Sequence, residues 1–230
     1  MHKSSLQDCF ALMYTLMEYR HNSIYSKLQD IRKRHSMLHL DVLTLIYHFT
    51  KTTEGDILEV GPYLGGSTIA AAFGVRDSGK PRTIISIEHG GKCVHPRLPS
   101  KNILKDLKKN LRKRGVANLV TLLEGHSGRK EITSAVKERL QPRGTSLLII
   151  DADGNVKRDI ELYRDLLADG CWIVIDDYFM PGSESKELKT RPTVDALVSA
   201  GELETFGFYG WGTWIGRWHG GPHAPSLVTV

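Results

Sequence analysis

The chain has 230 residues, 40% apolar and 25% charged, which suits one soluble globular domain with a substantial core. Charge interrupts every hydrophobic run, including the opening MHKSSLQDCFALMYTLMEYR, so neither a membrane span nor a secretion signal is expected. Three scattered cysteines (Cys9, Cys93, Cys171) make no disulfide framework and fit a reducing, cytoplasmic setting, while the net charge of +5 permits an acidic partner.

Taken in chain order, residues 1–50 predict helices, with Leu6, Phe10, Met13 and Met17 at helical spacing, and again Leu38, Val42, Leu45 and Ile46. From 56 onward strands alternate with helices. The apolar runs Ile57–Val60, Thr83–Ile87, Leu119–Leu123, Ser146–Ile150 and Trp172–Ile175 read as buried strands. Helical stretches fall around 67–76, 101–114, 128–140 and 157–168. This pattern predicts a parallel sheet covered on both faces. After Pro181 a loop and then a helix near 192–200 are expected. Leu203–Tyr209 and Trp211–Trp218 should close the sheet as an antiparallel hairpin around Gly210. The segment 221–230 reads as a loose tail. The basic helix 101–114 has an apolar stripe (Ile103, Leu104, Leu107, Leu111) but no interleaved aromatic residues, so a solvated face is favoured over a nucleic-acid surface.

The run DILEVGPYLGGST (56–68) carries the most chemistry: a buried strand breaks into a glycine turn and then a helix. A dinucleotide fingerprint needs glycine where Tyr63 stands, and a phosphate loop needs a lysine that Gly66-Ser67-Thr68 does not supply. A nucleoside ligand without phosphates remains. S-adenosylmethionine fits, because the Glu59 carboxylate would suit its cationic charges. Strand C-terminal ends share one rim in a parallel sheet. They carry Glu59 and Gly61, Glu88-His89, Glu124-Gly125-His126-Ser127, Asp151-Ala152-Asp153, and Asp176-Asp177. Carboxylates beside apolar strands need a cation or donor to satisfy them. Glu88 is placed to accept two ribose hydroxyls. Asp151, Asp176 and Asp177 offer an all-oxygen set suited to Mg²⁺ or another divalent cation, whereas loop capping is the plain alternative for the last two.

The segments ILEVGPYLGGS, IEHG, LLEGHS, LLIIDADG and VIDDY, in this order over roughly 35–218, resemble the class I S-adenosylmethionine-dependent methyltransferases. Among these the chain is most similar to the metal-dependent catechol and caffeoyl-CoA O-methyltransferase group. The resemblance implies a Rossmann-like, seven-stranded, mostly parallel α/β sheet with helices on both faces and a C-terminal antiparallel hairpin. It divides the chain into a helical cap (1–50), a methyltransferase domain (51–220) and the tail. It implies that Glu59, Gly61, Tyr63, Gly65 and Ser67 surround the methionine part of the cofactor. Glu88 would hold the ribose, with Gly125, His126 and Ser127 by the adenine and Asp151 touching both cofactor and metal. Asp151, Asp176 and Asp177 match the metal-ligand positions, with aspartate at 177 where asparagine is usual. The family's lysine, three residues after the first metal aspartate, is Gly154 here. Lys157, Asp153 and His89 are the remaining candidates to take the acceptor's proton.

The expected reaction is methyl transfer to a small-molecule hydroxyl, with specificity set by the N-terminal helices, the loop His89–Ser100 and the stretch Tyr178–Arg191. In that last stretch Lys186, Lys189 and Arg191 would meet an acidic substrate, and the loop reads equally as a lid or as plain surface. A metal-independent methyltransferase acting on RNA or protein rests only on the basic helix. A non-catalytic cofactor-binding module rests only on Gly154. Homodimerisation through the N-terminal helices or the hairpin is an expectation of the resemblance.

Overall fold

Strand length and apolarity set the frame. The computed structural model of the protein describes residues 6–179 and 184–220. Three helices, α1 (Leu6–Tyr19), α2 (Ser23–His35) and α3 (Leu40–Thr52), precede an alternating series. It runs β1 (Asp56–Val60), α4 (Gly66–Ser78), β2 (Ile84–Glu88), α5 (Ile103–Lys113), β3 (Val120–Glu124), α6 (Lys130–Arg139), β4 (Thr145–Ile150), α7 (Val156–Tyr163) and β5 (Leu167–Ile175). Helix α8 (Glu184–Ser199) and the hairpin β6 (Leu203–Tyr209) and β7 (Thr213–Trp218) complete it.

The seven strands lie in the order β3-β2-β1-β4-β5-β7-β6. Strands β1 to β5 pair in parallel, and β7 is antiparallel to both β5 and β6. Alternate residues therefore feed two cores. Ile57, Ile84, Leu147, Ile149 and Val174 face α3, α4 and α5, while Leu58, Ile85, Leu148, Ile150 and Ile173 face α6, α7 and α8. The direction in which successive strands are added reverses between β1 and β4, and a crevice opens there at the strand C-termini. Helix α3 belongs to the main core: Gly74 of α4 comes so near that a Cβ would strike Thr50 Oγ1 and the Tyr47 carbonyl. On α5, Ile103, Leu107 and Leu111 are buried and the lysines face out.

Three boundaries differ from the sequence expectation. The fourth helical stretch stops at Tyr163, and β5 begins at Leu167, because a register shift opposite Thr145–Leu147 lets the polar Asp169-Gly170 pass along the strand. Helix α8 starts at Glu184, well before 192, and carries Pro192 inside it at the cost of a backbone hydrogen bond. The hairpin's second arm starts at Thr213, because Gly210 (φ 64°) and Gly212 (φ 135°) shape the turn, and a Cβ at Gly212 would strike the Phe179 carbonyl. The expected loose tail lies outside the described residues.

Candidate active site

The glycine turn is built by close approach. Gly61 (φ 89°) presses on the Asp151 carbonyl, where any Cβ would collide, so the β1 and β4 ends touch through backbone alone. Gly66, at the start of α4, is pressed in the same way by Ser36, at the end of α2. Tyr63 holds a left-handed conformation (φ 51°). Its N–H donates to Glu88 Oε2 (3.1 Å), and its hydroxyl donates to the Leu98 carbonyl. Glu88 Oε1 accepts from the Gly90 N–H (2.7 Å), and each carboxylate oxygen keeps a further lone pair. Glu59 lies beneath the turn, fully buried. Its Oε2 accepts from Thr68 and Ser86 (2.6 Å each), and its Oε1 has no partner among the described residues. Burial raises its pKa against the pull of the surrounding hydroxyls.

Beside the turn, Val60, Gly61, Ile87, His89, Gly125 and His126 line a narrow cleft. The His89 and His126 rings stack with centroids 5.2 Å apart. The loop His89–Ser100 is tied down by a Cys93–Ser100 bridge, by the Tyr63–Leu98 bond and by Arg97, which donates to the Ser36 carbonyl (3.2 Å).

At the crevice, Asp151 after β4 and Asp176-Asp177 after β5 converge, with one oxygen from each lying within 4.8 Å of the others. Asp177 is left-handed (φ 57°), which turns the backbone so that Asp176 and Asp177, though adjacent, both reach the cluster. Thr213 Oγ1 donates to Asp176 Oδ1 (2.6 Å), and Lys186 Nζ from α8 stands 3.0 Å from Asp177 Oδ2. Burial, then the Asp176 charge, pushes the Asp151 pKa well up; burial and Asp177 raise Asp176. Burial alone would lower Lys186, yet the three carboxylates around it hold it raised and charged.

The sequence matches a methyltransferase-domain family over residues 58–178, more than half of the chain and the span from β1 to just past Asp177. The chain belongs to that family. The O-methyltransferase TomG of Streptomyces achromogenes, solved in complex with S-adenosylmethionine, is similar in fold (TM-score 0.63, 14% identity, 90% of this chain and 96% of that one). So are a proposed caffeoyl-CoA O-methyltransferase of Staphylococcus aureus (0.63, 18%, 91% and 99%) and a Bacillus cereus O-methyltransferase in complex with SAH (0.59, 13%, 94% and 92%). No curated protein matches the sequence.

In this methyltransferase, two of the proposed proton acceptors are engaged elsewhere. Asp153 is clamped by Arg158 (2.8 and 3.1 Å) and takes the Asn155 N–H. These donors outweigh burial and hold its pKa below the usual carboxylate range. Lys157 is exposed on α7 and faces Glu161 at 3.8 Å. His89 sits at the cleft against His126, 3.5 Å from Glu88. Ser127 borders the same cleft, but its hydroxyl donates to the buried Asp159 (2.7 Å) and accepts from Arg158 (3.0 Å). Glu124 leaves the rim set by pairing with Lys108. Lys186, expected from the sequence to meet an acidic substrate, instead has its ammonium on Asp177, a placement that no local spacing between α8 and the β4 end could signal.

Proposed function

We propose that the protein transfers a methyl group from S-adenosylmethionine to a hydroxyl oxygen of a small molecule, at a divalent-cation site formed by Asp151, Asp176 and Asp177. The observation that carries this reading is the convergence of three carboxylates within 4.8 Å, directly against the glycine turn through the Gly61–Asp151 contact. The donor set fits a divalent cation: three carboxylates face a single ammonium, and burial with their mutual repulsion raises Asp151 and Asp176, a penalty that a cation bound among them would relieve. A bound cation would orient the acceptor hydroxyl and lower its pKa.

This chain's residues supply the rest. Glu88 offers lone pairs to a ribose, the stacked His89 and His126 rings border the place of the base, and Glu59 Oε1, buried and without a partner among the described residues, lies under the turn that would hold the amino-acid end. The hydroxyl proton passes to solvent and the sulfonium–methyl bond breaks as the oxygen–methyl bond forms, leaving the cofactor as a neutral thioether, so alignment across the turn supplies much of the rate, up to ~7–11 kcal/mol. TomG and the B. cereus relative, bound to the cofactor or its product, support the cofactor assignment.

Calorimetric titration with S-adenosylmethionine, and separately with Mg²⁺ on wild type and Asp176→Ala, tests the reading. A Mg²⁺ isotherm lost in the variant, with cofactor binding kept, is expected. Cofactor binding with no Mg²⁺ isotherm in wild type would overturn the metal assignment.

A further inference from the structure

Four charged side chains meet at the acidic cluster, and only one of them is a cation. Lys186 reaches it from the first turns of α8, across the loop that follows β4. That loop passes beneath the helix at Gly154, which is left-handed (φ 79°). A Cβ on Gly154 would rest at 3.4 Å on both the Cα and the carbonyl oxygen of Lys186, so the loop and the helix backbone lie in direct contact there. Apart from Asp151, the charged residues nearby are paired elsewhere: Asp153 of the loop with Arg158, and Lys157 of α7 with Glu161. Asp177 orients the ammonium, and the other two carboxylates lie within 4.8 Å of that aspartate.

We propose that Lys186 is the catalytic cation of the acceptor site, donating a hydrogen bond from its ammonium to the acceptor oxygen as negative charge develops there, and carried to the cluster by α8 where that helix lies against the loop at Gly154. The inference rests on the hydroxyl-acceptor reading above and adds to it the residue that steadies the acceptor's anion. An ammonium carries three N–H donors, and the bond to Asp177 uses one, leaving donors for an oxygen held at the cluster. The same charge opposes a divalent cation on the same carboxylates, so removing it should strengthen cation binding and weaken the hold on a phenolate.

Both effects can be read without turnover. Calorimetry with Mn²⁺ should show Lys186→Met binding the ion several-fold more tightly than wild type. The visible spectrum of bound 4-nitrocatechol, which reports its ionisation, should show wild type holding the phenolate at a pH roughly one unit lower than Lys186→Met does. Lys186→Arg, which keeps the charge, should restore the spectrum in part. A nitrocatechol titration identical in wild type and Lys186→Met would overturn the proposal, as would Mn²⁺ bound with equal affinity by wild type and a folded Lys186→Met. If Lys186→Met binds Mn²⁺ more tightly than wild type but neither protein binds nitrocatechol, the hydroxyl-acceptor reading falls and this role with it. If nitrocatechol binds and its ionisation follows Lys186 while no Mn²⁺ binds, only the metal assignment falls and Lys186 stands.

Discussion

His35 ends α2 in a buried position where Arg114 Nε and Nη2 lie 3.3 and 3.1 Å from its ring nitrogen. Burial, reinforced by the Arg114 charge, holds its pKa down to about 4. The unfolded chain protonates this ring near its ordinary value of about 6.5. The stability contributed by neutral His35 is therefore complete above that value and is lost as pH falls towards 4, amounting to roughly 3 kcal/mol. Urea unfolding at pH 7.5 and 4.5 should show His35→Gln losing less stability over this interval than wild type. Asp30, lowered to about 2 by its bonds to Arg34 and Arg114, adds acid sensitivity only below the ordinary carboxylate range, so the two windows separate. Glu59 has the opposite sign. Its raised pKa means that its contribution is present at acid pH and lost as pH rises. Glu59→Gln, neutral throughout, should melt higher than wild type at pH 8 and show no such gain at pH 4.

Among the elements, the α3–α4 contact is the most exacting. Gly74→Ala would push a methyl into Thr50 Oγ1 and the Tyr47 carbonyl, a cost of about 1–3 kcal/mol by overpacking that chemical denaturation would measure. Gly79→Ala meets nothing, but its left-handed backbone (φ 69°) should still cost about 1 kcal/mol. The parallel strands were legible because β1, β2, β4 and the end of β5 are apolar on both faces, and such runs have no other stable home. The start of β5 was not, since Asp169-Gly170 interrupts its apolar run and only pairing with Thr145 keeps it in the sheet. The rim acids were visible for a related reason: a residue at a strand's end is placed by that strand alone. Lys186 depends on a helix packing from the side, and linear spacing does not encode that.

For the molecule as a whole, ligand binding couples to global stability, because the proposed cofactor cleft spans β1, β2, β3 and β4. S-adenosylmethionine at a hundred times its dissociation constant should stabilise the fold by about 2.7 kcal/mol. For a chain of this size that is a rise in Tm of roughly 5–10 °C, readable by calorimetry. A flat response would count against the cofactor. The packing of α8 on the loop at Gly154 also ties two distant stretches of chain together. The helix that carries the cluster's ammonium rests on the left-handed turn after β4, so a change that shifts either segment should also move that charge, and loop and helix act as one unit in placing it.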